Sequence, residues 1–186
     1  MNAPVAHPML HHWPVTTLDT LHQALWTAAE IASATAGIAS HDFQASGVEM
    51  DSRDVKPGDV FVALKGEAMD GHKFIPQAFE KGAVAAIVDR PVDYPHVLVE
   101  DTTRALHDLA HFSRERSHAI RIGITGSVGK TSVTQAIKAG LDLAGPSHAS
   151  IKSYNNHIGV PLTLARMPVE TQRAVFEIGM NAPGEI

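Results

Sequence analysis

A chain of 186 residues has room for one or two domains, and its 44% hydrophobic content is that of an ordinary globular protein. A formal net charge of −5 argues against nucleic acid as a partner, so any anionic ligand must be met by local positive groups. The absence of cysteine removes a disulfide framework, and no apolar run or signal-like N-terminus points to membrane insertion or export, so a cytoplasmic protein is expected.

Residues 1–24 carry Pro4, Pro8 and Pro14 among histidines without any period, and are expected to be a flexible extension. Thr27-Ala28-Ala29-Glu30 is a capping box that opens a short helix ending at Gly37. Val48 to Met50 and Val60 to Leu64 read as strands, the second covered on both faces, with Asp51-Ser52-Arg53 and a Pro57-Gly58 turn between them. A loop from Lys65 to Lys73 leads to a helix with Phe74, Ile75, Ala78 and Phe79 on one face and Gly82 as its stop. Ala83 to Val88 and His96 to Val99 are further strands, and Asp101 caps a helix reaching Arg116. Residues 25–116 therefore form one small α/β unit.

The second unit, 117–186, opens with Ala119, Ile120, Ile122 and Ile124, expected to be a buried parallel strand. The glycine turn Gly123-Ile124-Thr125-Gly126-Ser127-Val128-Gly129-Lys130-Thr131-Ser132 follows, then a helix with Val133, Ile137 and Leu141 at four-residue spacing. Glycines let backbone amides crowd phosphate oxygens, the helix start adds positive potential, Lys130 is expected to reach the outer phosphates and the Thr131 hydroxyl can bind Mg²⁺. The general phosphate-loop pattern has a glycine where this chain has Ile124, so the loop is a shortened form. A short helix near Val160 to Arg166 and a strand from Ala174 to Ile178 complete the unit. Two strands in about 70 residues cannot bury a nucleotide-domain core, so the chain reads as part of a longer protein.

Glu177 ends its strand on the edge from which the phosphate loop leaves, where a carboxylate can hold a nucleotide's Mg²⁺. Asn155, Asn156 and His157 can donate to phosphates or carboxylates, yet three polar loop residues can equally be solvated. The same ambiguity holds for Ser52, Arg53, Lys65, Lys73 and the loop glycines Gly66 and Gly71. These residues supply positive charge and close backbone approach, but a solvated loop explains them as well.

Three stretches taken together resemble the Mur ligases, ATP-dependent amide-forming enzymes of peptidoglycan precursor synthesis. They are Asp51-Ser52-Arg53 with Lys56 to Gly66, Asp70-Gly71-His72-Lys73-Phe74, and Gly123 to Thr131, whose short loop is the usual family form. Asn155 to Thr163 followed by Glu177-Ile178-Gly179-Met180-Asn181 is similar to the members that use D-alanyl-D-alanine as the amine. The resemblance implies a small α/β UDP-binding domain followed by the first part of a parallel-sheet ATP-binding domain, in a monomer. It implies ATP and Mg²⁺, with UDP-N-acetylmuramoyl-tripeptide and D-alanyl-D-alanine as substrates. Ser52, Arg53 and Lys65, with Asp70, Gly71 and His72, would meet the uridine or diphosphate. Gly126, Ser127, Val128, Gly129, Lys130, Thr131 and Ser132 would hold ATP, and Thr131 and Glu177 the metal. Asn155 and Asn156 would line the junction between substrate and γ-phosphate, with Lys130 and Asn156 as the catalytic pair.

Overall fold

The computed structural model describes residues 24–66, 69–152 and 154–179. The expected flexible extension lies outside them apart from Ala24, as do Glu67, Ala68, Met180 and Asn181. In chain order the elements are β1 (Trp26–Thr27), α1 (Ala28–Thr35), β2 (Ile38–Ala39), β3 (Gln44–Ala45), β4 (Gly47–Glu49) and β5 (Asp59–Val62). A 3-10 turn, Gly71–Phe74, runs into α2 (Ile75–Glu80), followed by β6 (Ala85–Val88), β7 (His96–Leu98) and α3 (Thr102–Arg116). Then come β8 (Ile120–Ile124), α4 (Lys130–Asp142), β9 (Ser147–Ala149), α5 (Gly159–Ala165) and β10 (Arg173–Glu177).

The first sheet has the order β2-β7-β6-β5-β4, parallel throughout except for β2. Period-two alternation sorts its central strands between two cores. Val60, Val62, Ala85 and Ile87 point toward Ile31 of α1 and Leu106 and Leu109 of α3. Phe61, Ala63, Ala86 and Val88 point toward Ile75 and Ala78 of α2. Both faces are covered, so β5 and β6 are apolar at every position after Asp59, which is why they read as unbroken hydrophobic runs.

Local signals set the helix ends. Thr27 accepts from Glu30 N while Glu30 reaches back to Thr27 N, completing the capping box. The left-handed residue closing α1 is Ala36 (φ 51) rather than Gly37. Gly37 is needed instead for space, since a Cβ there would lie 2.9 Å from Leu98 O and Val97 Cγ1. Asp101 accepts from Arg104 N at 2.8 Å and starts α3.

The second sheet is parallel, in the order β8-β10-β9, and so has one more strand than expected. Ser147-His148-Ala149 is too short and too polar to announce itself. The larger correction concerns β8. Expected to be buried, it is an edge strand of a three-stranded sheet, with Ile120 65% exposed. On α4 only Thr134 is buried, and Val133, expected inward, is 46% exposed. Apolar composition marked the strand correctly, but burial requires a second neighbour that this chain does not supply among its described residues.

The helix α5 joins the two units. Leu162 and Ala165 lie in the same core as Trp26 and Leu106, and Trp26 Nε1 donates to Ala165 O at 2.8 Å. Arg166 follows directly, with Nε on Val48 O at 2.6 Å and Nη2 on Glu49 Oε2 at 2.5 Å.

Candidate functional site: a phosphate loop facing a buried carboxylate

Strand β8 delivers the chain at Ile124 into a loop with two glycines in the left-handed region, Gly126 (φ 144) and Gly129 (φ 80). Gly129 is the N-cap of α4, with no side chain closing that end. The first-turn amides of Lys130, Thr131 and Ser132 have no carbonyl behind them, because helix geometry provides none. Among the described residues nothing lies within 4 Å of where a Cβ on Gly129 would sit, so they leave the space beside it open. Val128 at the crest is 92% exposed. Lys130 curls back, its Nζ donating to Gly126 O at 2.7 Å, which holds one positive charge over the amides. Free amides, a helix start and an ammonium group around open space make an anion cradle.

Register brings the carboxylate to this cradle. Strand β10 pairs with β8 so that Glu177 is level with Ile124, the last residue before the loop. The Glu177 side chain is buried at 2% exposure, and each of its oxygens has a donor. Thr131 Oγ1 donates to Oε2 at 2.7 Å, and Asn155 Nδ2 donates to Oε1 at 2.7 Å. Glu177 N donates to Ser150 Oγ at 2.9 Å, and Gly179 N to Asn155 O at 2.6 Å, so the strand end and the 154–156 loop are tied together. A hydroxyl and a carboxylate oxygen 2.7 Å apart are hard donors. Their separation is near that of adjacent ligands around an octahedral cation with bonds of about 2.1 Å. The residues fit Mg²⁺.

Asn156, expected to act beside Lys130, braces the start of α5 with its side-chain oxygen. Its Oδ1 accepts from Gly159 N at 2.8 Å and Ile158 N at 3.2 Å, capping α5. The amide that reaches the carboxylate belongs to Asn155.

On the first unit a cleft of about 590 Å³ opens at the carboxyl ends of β4 and β5. Ser52 and Arg53 line it, with Met50, Leu64, Met69 and Phe74 as apolar walls, and Tyr154 closes it from the second unit. Apolar walls with two aromatic rings and a few polar groups suit a nucleobase. The Ser52 hydroxyl donates to Gln77 Oε1 at 2.7 Å, which presents the Gln77 amide group to the cleft. Arg53 is largely exposed and makes a bidentate pair with Asp51, at 2.9 and 2.7 Å. That hydrogen bond holds the Asp51 carboxyl at about 2, below its ordinary 3.8.

Asp70, Gly71 and His72 sit elsewhere than on the cleft wall. His72 Nδ1 lies 2.8 Å from Asp70 Oδ1 and Nε2 lies 3.1 Å from Asp89 Oδ1, in a nearly buried setting. Arg90 Nη2 donates to Asp70 Oδ2 at 2.5 Å and, with the His72 amide, holds the Asp70 carboxyl well below the usual carboxylate range. Gly71 N donates to Leu64 O, and a Cβ on Gly71 would meet Leu64 O at 2.6 Å. These three residues fix the loop that brings Met69 to the cleft. Lys65 is exposed and bridges to Asp70 through its backbone. Sequence reasoning missed Gln77, Arg90 and Tyr154 as contributors. Only Tyr154, next to Asn155, carried a local signal.

Comparison with known proteins follows this geometry. The model of the "Mur ligase family, catalytic domain" matches residues 44–114, and that of the "Mur ligase middle domain" matches 124–185. The chain belongs to the Mur ligase family. Among curated Mur ligases, the UDP-N-acetylmuramoyl-tripeptide–D-alanyl-D-alanine ligases of Synechocystis and Escherichia coli are 41% and 43% identical, over 79% and 78% of this chain. Those matches cover 34% and 32% of the relatives, so the chain spans about a third of their length. Among solved Mur ligases, MurF from Acinetobacter baumannii superposes with a TM-score of 0.72 at 36% identity, covering 86% of this chain and 37% of that one. MurF from Thermotoga maritima in complex with ADP gives 0.59 at 32% identity, over 75% of this chain and 33% of that one. Among the described residues no helix is long and apolar enough to cross a membrane.

Proposed function

We propose that this chain carries the UDP-binding domain (25–116) and the first part of the ATP-binding domain (117–186) of a cytoplasmic ligase of peptidoglycan precursor synthesis. The reaction is ATP-dependent formation of an amide between UDP-N-acetylmuramoyl-tripeptide and D-alanyl-D-alanine. The observation that carries this reading is the pairing of Thr131 with Glu177 beside the open cradle, one loop away from the cleft closed by Tyr154. The names of the curated relatives and the ADP bound by the Thermotoga maritima neighbour support the choice of substrates and nucleotide.

A carboxylate does not condense with an amine at neutral pH, because its oxygen is a poor leaving group. In the proposed reaction the tripeptide carboxylate attacks the γ-phosphorus of ATP, the bond to ADP breaks, and an acyl phosphate results. The amine of D-alanyl-D-alanine then attacks the acyl carbon, phosphate leaves, and the amine proton passes to solvent or phosphate. The chain's part is to align two anions and offset their repulsion. The amides of the Gly126–Ser132 loop and Lys130 would bind the outer phosphates, and Thr131 and Glu177 would hold Mg²⁺. The metal would spread the charge that builds on the transferring phosphoryl group. Residues 154 to 156 connect the cleft to the cradle, so a substrate anchored by its uridine would extend past Asn155 toward the γ-phosphate.

The exposure of Ile120 and Val133 supports a second reading, in which these 186 residues alone bind both nucleotides without turnover. Titration of the chain with UDP and with Mg·ADP, singly and together, tests the common ground: two independent sites are expected. A chain that binds ADP but not UDP would be a plain phosphate-loop fold, and the ligase reading would fail. Incubation with ATP, UDP-N-acetylmuramoyl-tripeptide and D-alanyl-D-alanine separates the two readings by phosphate release. Offering lysine or diaminopimelate with the matching dipeptide substrate tests for the related ligase that adds the third residue.

A further inference from the structure

Arg166 does not line the nucleoside cleft, although its guanidinium lies 5.9 Å from the Tyr154 ring centroid, and its hydrogen bonds reach Val48 and Glu49 of β4, just before the turn that forms the cleft. The pair it makes with Glu49 is largely buried, with side chains 13% and 8% exposed. Glu49 uses its two oxygens differently. Oε2 takes the Arg166 guanidinium at 2.5 Å, while Oε1 accepts from Met50 N at 2.8 Å and Asp51 N at 3.1 Å. Asp51 in turn accepts from Arg53 N at 3.0 Å through Oδ1. One continuous set of hydrogen bonds therefore runs from Arg166 through Glu49 to the Asp51–Arg53 turn, and Met50 to Arg53 all line the cleft. Neither Arg166 nor Glu49 lines it themselves.

The other end of α5 meets the catalytic side. Asn156 caps it, and Asn155 just before the cap grips Glu177. Seven residues of helix thus separate the loop on the metal-binding carboxylate from the arginine on the cleft-forming turn. The helix is clamped at its far end by Trp26 Nε1 on Ala165 O and by Arg166 Nε on Val48 O, so it cannot slide relative to β4.

We propose that Arg166 is a positioning residue: through Glu49 it fixes the Asp51–Arg53 turn, and so sets the distance between the nucleoside cleft and the phosphate cradle. Without the guanidinium, Glu49 is a buried carboxylate lacking its counter-charge and turns toward water, releasing the Met50 and Asp51 amides. The turn then samples other conformations and the cleft loses its shape, while the loop on α4 is untouched. The idea rests on the cleft being a UDP site, as proposed above.

The test uses the 186-residue chain with UDP and Mg·ADP as probes. Arg166→Met is expected to weaken UDP binding about two- to thirty-fold, the range of coupling carried through such networks, with ADP affinity unchanged. Because a single variant leaves an unpaired buried charge, Arg166→Met with Glu49→Leu supplies a folded control, as apolar replacement of a whole buried pair is tolerated. The double variant leaves the Met50 and Asp51 amides without their acceptor but no unpaired buried charge, so it should melt no lower than Arg166→Met and still bind UDP weakly, and Arg166→Lys should restore part of the affinity. A double variant that binds UDP like the parent overturns the proposal, as does parallel loss of UDP and ADP. Amide exchange gives a ligand-free reading. Met50 and Asp51 should lose protection in Arg166→Met while Val60 to Val62 keep theirs, and unchanged protection at Met50 and Asp51 also overturns it. If the parent chain ignores UDP, the UDP reading falls, and the exchange result alone decides whether Arg166 positions the turn.

Discussion

The hydroxyl of Thr131 donates to Glu177 Oε2 at 2.7 Å across 46 residues of sequence, joining the first turn of one helix to the end of the neighbouring strand. Everything proposed for the phosphate site depends on that contact. It places a hard hydroxyl and a hard carboxylate side by side, at the mouth of a loop beside which the described residues leave open space.

Glu177→Gln tests the contact directly. A glutamine can keep its one acceptor oxygen on the Asn155 amide, and the Thr131 hydroxyl can then turn to accept from the new NH2, so the geometry survives while the charge is lost. Two charge-assisted bonds become neutral ones, and the cost in urea unfolding of the chain should be about 1–3 kcal/mol. The variant should also lose the Mg²⁺ dependence of ADP binding. Full retention of that dependence would show that the metal is held elsewhere.

Lys130→Ala should separate binding from folding. Among the described residues the ammonium group makes one bond, to Gly126 O in an exposed loop, so the melting temperature should not change. ATP affinity, measured by titration, should fall about ten- to a hundredfold, the worth of a charge-assisted hydrogen bond to phosphate. An unchanged affinity would mean that the lysine does not reach the nucleotide.

The pairing of Asp51 with Arg53 gives a pH signature. Its folded value, about 2, lies below the ordinary 3.8, so its contribution is complete above about pH 4 and is lost as pH falls toward 2. Arg53→Ala should return the Asp51 carboxyl toward 3.8 in a carbon NMR titration and flatten that part of the acid-unfolding curve. An Asp51 titration indifferent to the substitution would argue that the backbone, not the guanidinium, depresses it.

Gly159→Ala should damage the link between α5 and the 154–156 loop. A Cβ there would lie 2.6 Å from the backbone of Tyr154, which has no room to retreat without moving Asn155. Destabilisation of about 1–3 kcal/mol by overpacking is expected, together with weaker Mg·ADP binding. Normal stability and binding would mean the 154–156 loop tolerates displacement.

Much of this was legible in the sequence because the signals are local. The capping box at Thr27, the Asp101 cap, the apolar runs of β5 and β6, and the glycine loop before Lys130 each state their geometry within a few residues. Long-range partners were not legible. Nothing near Arg90 says that it holds Asp70, and nothing near Ser150 says that it accepts from the Glu177 amide. Asn155 and Asn156 are adjacent and chemically identical, and only the direction in which the helix leaves assigned one to the carboxylate and the other to the cap.

The sequence by itself determined the helices, the strands β4 to β8 and β10, the glycine loop before Lys130 and the family, since each depends on residues close together in the chain. The tertiary structure alone decided three things. It left β8 at an exposed edge, it turned Asp70 and His72 inward to brace their own loop, and it laid α5 against the first unit so that Arg166 meets Glu49. The physical reason is common to all three. Burial and ion pairing depend on which surfaces meet, and that is settled by register and packing between segments distant in sequence.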